Sequence, residues 1–504
     1  MATASLGETI ERRPVTGTIH RANKLSAVGQ LIVAAMGSGL IYSAYLAFVA
    51  FLPEHLLKPK IYLFGALGQG YGALITYLLG IGTLFTLAIV AWRAASKARG
   101  WAIHAWALIP PAIFGFLLML TMPLTSRDLF YYISGGRTLG IYGANPYLFP
   151  PSAFPHDPLF QYANWPDYTS PYGPIWLLIS GGLARIANGD LFWSVYLFKL
   201  IAFVGYLACG GLIWAILRAR GKSPLASTVL WLWNPLVLLE FTGAGHNDVL
   251  MLAGMLLGIW LYITGRIRLA LAALALAAMV KSVALIALPL ILWHRLALLD
   301  SWRARFREAA RLLWLPALII LACIGPFWAG AATFGPVQES SHYYSSFGHI
   351  ARVILEWRLP PRPAGEITRG TIVLTLLVGY LVILWRTPGS DRSLLTGATR
   401  AIFLLLAVWP FFVPWYCAWA VAVAAALSSQ RHGWRVIVLC VGANLSYVFQ
   451  FYLPLRMSSS VEFRSTLSAL IIFIPFLLTF VPWGTLWQRT GQRRRQQIAA
   501  PPLG

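Results

Sequence analysis

Side chains able to carry out chemistry are concentrated in one polar segment, Thr125 to Gly173, which interrupts an otherwise apolar chain. Asp128 is the first acidic residue of this segment and follows an apolar stretch that ends near Pro123. A fixed carboxylate at such a boundary can deprotonate a hydroxyl as a general base. Asp128 is therefore the candidate catalytic residue, and Arg127 beside it is a candidate for substrate binding. The alternative is an interfacial aspartate that is paired with Arg127.

The motif GHNDVLML places His246, Asn247 and Asp248 at the start of an apolar helix. Ionisable groups in such places are costly and are functional candidates by default. We therefore consider His246 and Asp248 candidates for binding a donor phosphate or a substrate. Helix capping explains the motif equally well, because Asn and Asp favour the N-cap position. With Asp128 these residues give no convincing metal-ligand pattern, so no metal site is predicted.

Lys281 is the most conspicuous single cation, since it lies inside an apolar run. Its compact ammonium group could hold a phosphate, and the alternative is a snorkelling or structural lysine. Arg137 is a weaker candidate for the same role, and Asn145 is a candidate for substrate binding. Several aromatic residues could stack on sugar rings or form an interfacial belt. They are Tyr147, Trp165, Tyr168, Tyr172, Trp415 and Tyr416.

The composition predicts an all-α polytopic membrane protein. The 504 residues are 58% hydrophobic and 11% charged, whereas soluble domains carry about 25% charged residues. The net charge of +23 would suit nucleic-acid binding, but the basic residues cluster in short loops between apolar spans, as the positive-inside rule requires. No nucleic-acid partner is therefore expected. The four cysteines lie in apolar segments and are interpreted as small core residues.

The positive-inside rule predicts fourteen membrane segments with both termini in the cytoplasm. They lie near 27–52, 70–92, 101–123, 190–217, 224–242, 246–263, 267–280, 281–294, 311–330, 369–386, 399–413, 414–428, 434–454 and 464–486. Residues 174–188 cannot cross without reversing every later basic loop, so we expect a helix along the membrane interface.

Two pairs of short segments are predicted to be broken helices. Residues 267–294 have basic loops at both ends, so the chain must enter the membrane and return, with Lys281 at the tip. Residues 408–419 carry Pro410 and Pro414 at a similar break. Interrupted helices are tolerated where protein or a water-filled cavity covers the freed backbone groups. Both tips should therefore line a cavity on the side of the polar segment.

These features divide the chain into four regions. Residues 1–26 form a cytoplasmic tail, and 27–99 contain two additional transmembrane helices. Residues 100–486 form the catalytic membrane domain, with a periplasmic loop at 124–189. Residues 487–504 form a basic cytoplasmic tail.

Five motifs in order resemble the bacterial polyprenol-phosphate-mannose-dependent mannosyltransferases of the GT-C glycosyltransferase superfamily. They are RDLFYYISGGRTLGIYGANPY, SPYGPIW, GHNDVLML, MVKSVALIALP and PWYCAW, and the resemblance covers residues 100–430. It implies a GT-C-like helical bundle whose first long periplasmic loop carries two interface helices. It also implies a catalytic aspartate at the start of that loop, which maps onto Asp128. Such enzymes are generally metal-independent, so no cofactor is expected.

Many members of the superfamily have an acidic pair in this loop, whereas this chain has Arg127 next to Asp128. A second catalytic carboxylate, whether Asp157 or Asp167, is therefore not predicted.

The expected activity is that of an inverting hexosyltransferase in the inner membrane, with its active site facing the periplasm. It would move a sugar, expected to be mannose, from a polyprenyl-phosphate donor to a hydroxyl of a glycan or lipid-linked acceptor, in contact with membrane lipids. Two alternatives remain. The same mechanism could use glucose, arabinose or an aminosugar, or the chain could be a lipid-linked-sugar transporter or flippase, which would also have broken helices and buried charge.

Overall fold

The computed structural model describes residues 25–49, 68, 70–97, 99–123, 125–334 and 343–481. These residues form helices, turns and loops, and the extended pairing among them is an isolated bridge between Tyr344 and Phe411. The predicted all-α polytopic membrane architecture is confirmed. The predicted tail at 487–504, the end of the first predicted span at 50–52 and residues 1–24 of the predicted N-terminal tail lie outside the described residues.

The helices are numbered here in chain order. The first nine are α1 (Ala27–Val49), α2 (Tyr71–Lys97), α3 (Trp101–Met119), α4 (Asp128–Gly140), α5 (Pro174–Ala187), α6 (Leu191–Ala219), α7 (Leu225–Leu232), α8 (Pro235–Gly243) and α9 (Asp248–Ile263). The next nine are α10 (Ile267–Ala278), α11 (Ala287–Leu296), α12 (Trp302–Ile324), α13 (Phe347–Glu356), α14 (Pro361–Trp385), α15 (Asp391–Val408), α16 (Cys417–Leu427), α17 (Gln430–Tyr447) and α18 (Val461–Leu478).

Eight of the described helices are long and apolar enough to cross a membrane, namely α1, α2, α3, α6, α12, α14, α17 and α18. About 20 residues are needed to span the hydrocarbon core. The pair α7 and α8 adds a ninth span that is bent by 50°. Helices α5, α9, α10, α11 and α16 are apolar but shorter. Each predicted membrane segment coincides with one of these helices, with the bent pair, or with α15.

Three predicted segments started too late. The segments predicted at 311–330, 369–386 and 399–413 begin at Trp302, Pro361 and Asp391 in the structure. All three helices start with turns that contain charged residues. The helical backbone satisfies its own hydrogen bonds and therefore continues beyond the apolar stretch that hydropathy detects.

A bend separates α7 from α8. Pro235 has no backbone N–H to continue the helix, and the Asn234 side chain accepts hydrogen bonds from the amides of Leu236 and Val237 instead. The following residues, Leu238–Gly243, form a π-helical turn. π-Helical turns are rare in proteins overall, and those that do occur are often found at functional sites.

The predicted break at Lys281 is present. Helix α10 ends at Ala278, Lys281 is extended, and a 3₁₀ turn at Ser282–Ile286 leads into α11. The freed carbonyl groups are covered by the chain that enters α5, because the Gly173 amide donates to Val280 O at 3.1 Å and the Ile175 amide donates to Met279 O at 2.9 Å.

Helices α4 and α5 pack against each other through small residues. A side chain at Gly136 or Gly140 would overlap the backbone of Ser180 or Gly181, so the glycines permit the close approach. The stretch Leu129 to Ile141 is buried along most of its length, because α5 and α6 cover it.

Lys199 of α6 fixes the end of α3. Its side chain is fully buried, and its ammonium group donates to the carbonyl oxygens of Leu118, at 2.9 Å, and Thr121. A cation near the C-terminus of a helix pairs favourably with the helix dipole. The contact sets where the chain leaves α3 to reach Asp128.

Candidate functional site

Asp128 is the first residue of α4, and its amide donates to Ser126 Oγ at 3.1 Å. A carboxylate at a helix N-terminus is stabilised by the helix dipole. The Arg127 guanidinium group lies over the Phe130 ring, 5.1 Å from its centroid, and donates to Tyr162 O at 3.4 Å. Arg127 therefore contributes to the packing of the loop that follows α4.

The imidazole ring of His246 lies next to this carboxylate. Asp128 Oδ2 is 3.9 Å from His246 Nδ1, and the Tyr132 hydroxyl is 3.4 Å from the same nitrogen. Trp415 stacks on the imidazole with a centroid distance of 3.9 Å. The ring is therefore held in place by an aromatic face from the 3₁₀ turn before α16.

Glu240, in the π-helical turn of α8, lies on the other side of the imidazole. Its Oε2 is 3.2 Å from His246 Nε2. Tyr447 donates to Glu240 Oε1 at 2.6 Å, and Thr125 donates to Oε2 at 3.3 Å. His246 thus lies between two carboxylates, and an imidazole so placed can carry a proton for either of them.

Lys281 forms a second charged group with Asp248. Lys281 Nζ donates to Asp248 Oδ1 at 2.8 Å, and Trp419 Nε1 donates to the same oxygen at 2.7 Å. The ammonium group also lies over three aromatic rings, those of Tyr416 at 4.8 Å, Trp419 at 5.4 Å and Tyr172 at 6.0 Å. A cation within about 6 Å of a ring centroid is attracted by the ring face.

The structure decides between the two interpretations of the GHND motif. Asn247 occupies the N-cap position of α9, but its side chain makes no capping hydrogen bond. Asp248 is the first residue of α9 and binds Lys281 and Trp419. The motif therefore serves the charged cluster rather than helix capping by side chains.

Exposure separates the charged groups that a substrate can touch from those that act through others. The Asp128 side chain is 20% exposed and the Lys281 side chain is 14% exposed. The side chains of His246, Asp248 and Glu240 are 0% exposed. Asp128 and Lys281 are thus the accessible groups of this cluster, while His246 and Asp248 contact them and Glu240 contacts His246.

Burial raises the pKa of the Asp128 carboxyl group above its ordinary value. His246 and Lys281 pull the pKa down, while the negative charge of Asp248 pushes it up. Burial is the largest of these influences, since it disfavours the charged form. A carboxylate with a raised pKa is a stronger base once it has lost its proton.

Other predicted site residues lie further along the loop. Arg137 forms an ion pair with Asp157 at 2.6 Å, and Tyr142 donates to the same carboxylate. Arg137 lies nine residues after Asp128 on α4, which is about 13 Å along the helix axis. Arg137 and Asp157 therefore pair with each other within the loop, away from the Asp128 carboxylate.

Asn145 and Tyr147 support the backbone of the loop. Asn145 donates to Phe327 O at 3.0 Å and accepts from the Tyr147 amide. The Tyr147 hydroxyl donates to Tyr172 O at 2.8 Å, next to Gly173. Neither side chain lies in the charged cluster, and both help to hold the segment that contacts the Lys281 break.

The aromatic residues divide into two groups. Tyr172, Trp415 and Tyr416 surround the charged cluster. Trp165 and Tyr168 pack edge to face on the surface and are exposed. Sequence alone could not separate these groups, because every one of them suits both a binding site and a membrane interface.

Comparison with known proteins places this geometry in a family. The model of the alpha-(1→6)-mannopyranosyltransferase N-terminal domain matches residues 12–297, which is more than half of the chain. The chain belongs to the alpha-(1→6)-mannopyranosyltransferase family. The MptB C-terminal domain model matches residues 345–455 of this family member. The resemblance to GT-C mannosyltransferases is confirmed.

Individual relatives agree with this membership. The chain is 28% identical to alpha-(1→6)-mannopyranosyltransferase A of Mycobacterium tuberculosis, over 76% of this chain and 75% of that protein. It is 24% identical to alpha-(1→6)-mannopyranosyltransferase A of Corynebacterium glutamicum, over 69% and 74%. It is 25% identical to alpha-(1→6)-mannopyranosyltransferase B of the same organism, over 62% and 57%.

Sequence reasoning missed Glu240 of this mannopyranosyltransferase family member. A lone carboxylate inside the apolar run WLWNPLVLLEFTGAG was a usable signal, because intramembrane ionisable residues are functional candidates by default. Tyr132, Trp419 and Tyr447 carried no such signal. Their roles depend on which helices pack together.

Proposed function

We propose that the chain transfers a mannosyl residue from a polyprenyl-phosphate donor to an acceptor hydroxyl, with inversion at the anomeric carbon, at the periplasmic face of the inner membrane. The observation that carries the proposal is that Asp128 and Lys281, the two accessible charged groups of a buried cluster, lie within electrostatic range of each other. One is a base with a raised pKa, and the other is a cation. The names of the relatives support mannose as the sugar and an alpha-(1→6) bond as the product.

Asp128 acts as the general base in this proposal. The acceptor hydroxyl gives its proton to the carboxylate while its oxygen forms a bond to the anomeric carbon. In an alpha-(1→6) linkage the attacking hydroxyl is the primary one at C6. Removal of a positioned general base usually lowers the rate by about 10²- to 10⁴-fold.

Lys281 stabilises the leaving group. As the bond between the anomeric carbon and the phosphate oxygen breaks, its electron pair stays on the phosphate, and negative charge grows there. A preorganised cation lowers the energy of that transition state more than it tightens binding of the donor. The pair with Asp248 and the rings of Tyr416 and Trp419 hold the ammonium group in place.

One displacement by one base inverts the anomeric configuration. A β-linked donor would therefore give the α-linked product that the names of the relatives state. The buried groups His246, Asp248 and Glu240 position the two accessible ones, and they do not touch the substrate.

The experiment compares Asp128→Asn with Asp167→Asn in purified full-length protein. Asp167 is an exposed carboxylate of the same loop and serves as the matched control. With labelled polyprenyl-phosphate mannose and a mannoside acceptor, we expect Asp128→Asn to lose at least about 10²-fold in rate and Asp167→Asn to keep it. Full activity of Asp128→Asn would remove the carboxylate from the mechanism.

A second arm tests the leaving-group role. Lys281→Ala should lower kcat by about 10²- to 10³-fold, as expected for one electrostatic stabiliser. An unchanged kcat and an unchanged dependence on donor concentration would reject the role of Lys281. Competing labelled glucose, arabinose and aminosugar donors test the sugar. Translocation of the donor across the vesicle membrane without formation of new glycosidic bonds would instead show that the chain is a lipid-linked-sugar transporter, which is the alternative given by the sequence.

A further inference from the structure

A separate cavity of about 260 Å³ lies between the end of α14 and the start of α15. Three arginines line it. Arg386 directly follows α14, while Arg392 and Arg400 lie eight residues apart on α15 and therefore share one face of the helix. The rest of the wall consists of Ile383, Thr387, Ser390, Ser393, Thr396 and Gly397.

This cavity lies at the end of the molecule opposite Asp128. The Ser390 carbonyl oxygen is 3.2 Å from His294 Nε2, and His294 Nδ1 is 2.6 Å from the Tyr262 hydroxyl. Tyr262 is near the end of α9, whose first residue is Asp248. Tyr262 follows Asp248 by 14 residues, which corresponds to about 21 Å along the axis of α9. The cavity is therefore distinct from the cluster around Lys281.

The three arginines form no ion pair within the described part of the chain, and the carboxylate nearest to them in the sequence is that of Asp391, beside Arg392. No carboxylate of the described residues lies within ion-pair distance of Arg386, Arg392 or Arg400. Further cations of α17, Arg431 and Arg435, lie within electrostatic range of this group. Like charges held together repel, so a bound anion would stabilise the arrangement.

Three of the four hydroxyl groups of the wall, those of Thr387, Ser393 and Thr396, donate to backbone carbonyl oxygens. Ser393 Oγ donates to the backbone within the turn before α15, and Thr396 donates to the backbone of α15. Ser390 and Ser393 form a capping box, which satisfies the helix terminus without a ligand. The charged donors that line the cavity are the three guanidinium groups. Their planar forks match phosphate oxygens in a bidentate manner.

The cavity is next to the exposed apolar surface of α14. Helix α14 is the least buried of the candidate spans, because only 6% of its most apolar stretch is buried inside the protein. Trp385, at its end beside Arg386, is 73% exposed. Tryptophan and arginine at the end of a membrane span are typical of the headgroup region. Basic pockets between transmembrane helices on the cytoplasmic side bind anionic headgroups.

We propose that the cavity lined by Arg386, Arg392 and Arg400 binds a phosphate group, carried by an anionic lipid of the leaflet opposite Asp128 or free in solution. The shared chemistry is the bidentate contact of guanidinium with phosphate oxygens. The site is independent of mannosyl transfer, and its test measures binding.

The experiment uses full-length protein in nanodiscs of neutral phosphatidylcholine. Labelled phosphatidylglycerol is titrated in one arm, and inorganic phosphate competes with it in the other. The cavity variant carries Arg386→Gln, Arg392→Gln and Arg400→Gln. The matched control carries Arg266→Gln, Arg303→Gln and Arg307→Gln, which removes three exposed arginines outside the cavity wall. Both the cavity variant and the control variant must elute from a size-exclusion column at the same volume as the native protein.

We expect the cavity variant to bind phosphatidylglycerol more weakly by about fivefold for each arginine removed, while the control keeps its affinity. Failure of millimolar phosphate to compete identifies the lipid as the source, and competition at low concentration identifies free phosphate. Equal losses in the cavity variant and the control would show a diffuse basic surface and overturn the proposal. Unchanged binding by the cavity variant would overturn it as well.

Discussion

Gly173 lies directly against the backbone carbonyl of Met279. A Cβ atom at Gly173 would overlap the Met279 oxygen, and the amides of Gly173 and Ile175 donate to the carbonyls of Val280 and Met279. The polar loop and the break that presents Lys281 are thus joined by backbone contacts. The position of the cation depends on a residue that carries no functional group.

Gly173→Ala should therefore displace the Lys281 break. We expect a stability loss of about 1–3 kcal/mol, as for other overpacking substitutions, and a lower kcat. Gly182→Ala on α5 is the matched control, because a Cβ there has open space. Thermal unfolding and transfer assays measure both effects. Equal behaviour of the two variants would contradict the proposed coupling.

The pH dependence of transfer should report Asp128. A general base works in its deprotonated form, so activity is lost as pH falls through its pKa. Because burial raises the pKa of Asp128, the acid limb of kcat/KM should lie above the ordinary carboxyl range. An acid limb at the pKa of a free aspartate would show that a group other than Asp128 controls the pH dependence.

The same shift predicts the stability of Asp128→Asn. A carboxyl group whose pKa is raised by folding stabilises the protein below its unfolded pKa and loses that contribution as pH rises through the folded pKa. At neutral pH the carboxylate is therefore a destabilising group. The Asp128→Asn variant should be as stable as the native protein or more so in thermal unfolding at pH 7. A clear loss of stability of Asp128→Asn at pH 7 would contradict the raised pKa of Asp128.

His246→Gln should move the acid limb to higher pH. His246 lowers the pKa of Asp128 in the native protein, and the substitution removes that influence. Tyr447→Phe removes a hydrogen bond to Glu240 while keeping the charge, and it should leave the limb in place. A purely structural role of His246 would lower the stability of His246→Gln without moving the limb.

Lys281 and Asp248 should be strongly coupled. Removing one member of a buried ion pair leaves an uncompensated charge and costs about 3–5 kcal/mol, whereas removing both costs much less. We expect a large interaction energy in a double-mutant cycle of Lys281→Met and Asp248→Asn, measured by thermal unfolding. The partly exposed pair Arg352 and Glu356 is the control, with about 0.3–0.5 kcal/mol expected for a helical i,i+4 pair. A coupling no larger than this control would contradict the buried pair.

The membrane architecture was predictable because its signals are local. Apolar runs and basic loops follow from the cost of exposing polar groups to hydrocarbon, and they predicted the break at Lys281. The sequence also separated Asp128 from the other acidic residues by its place directly after a span. Helix ends beyond the apolar stretch, such as the start of α12 at Trp302, could not be found in this way.

The sequence by itself determined that the chain is a helical membrane protein with a polar loop, a carboxylate at the start of that loop and a lysine at a helix break. Only the tertiary structure decided that Asp248 holds Lys281, that His246 lies between Asp128 and Glu240, and that Arg137 pairs with Asp157. These pairings join residues from different helices. Hydropathy and spacing describe each helix against its solvent, whereas a buried charge is satisfied by whichever helix packs beside it.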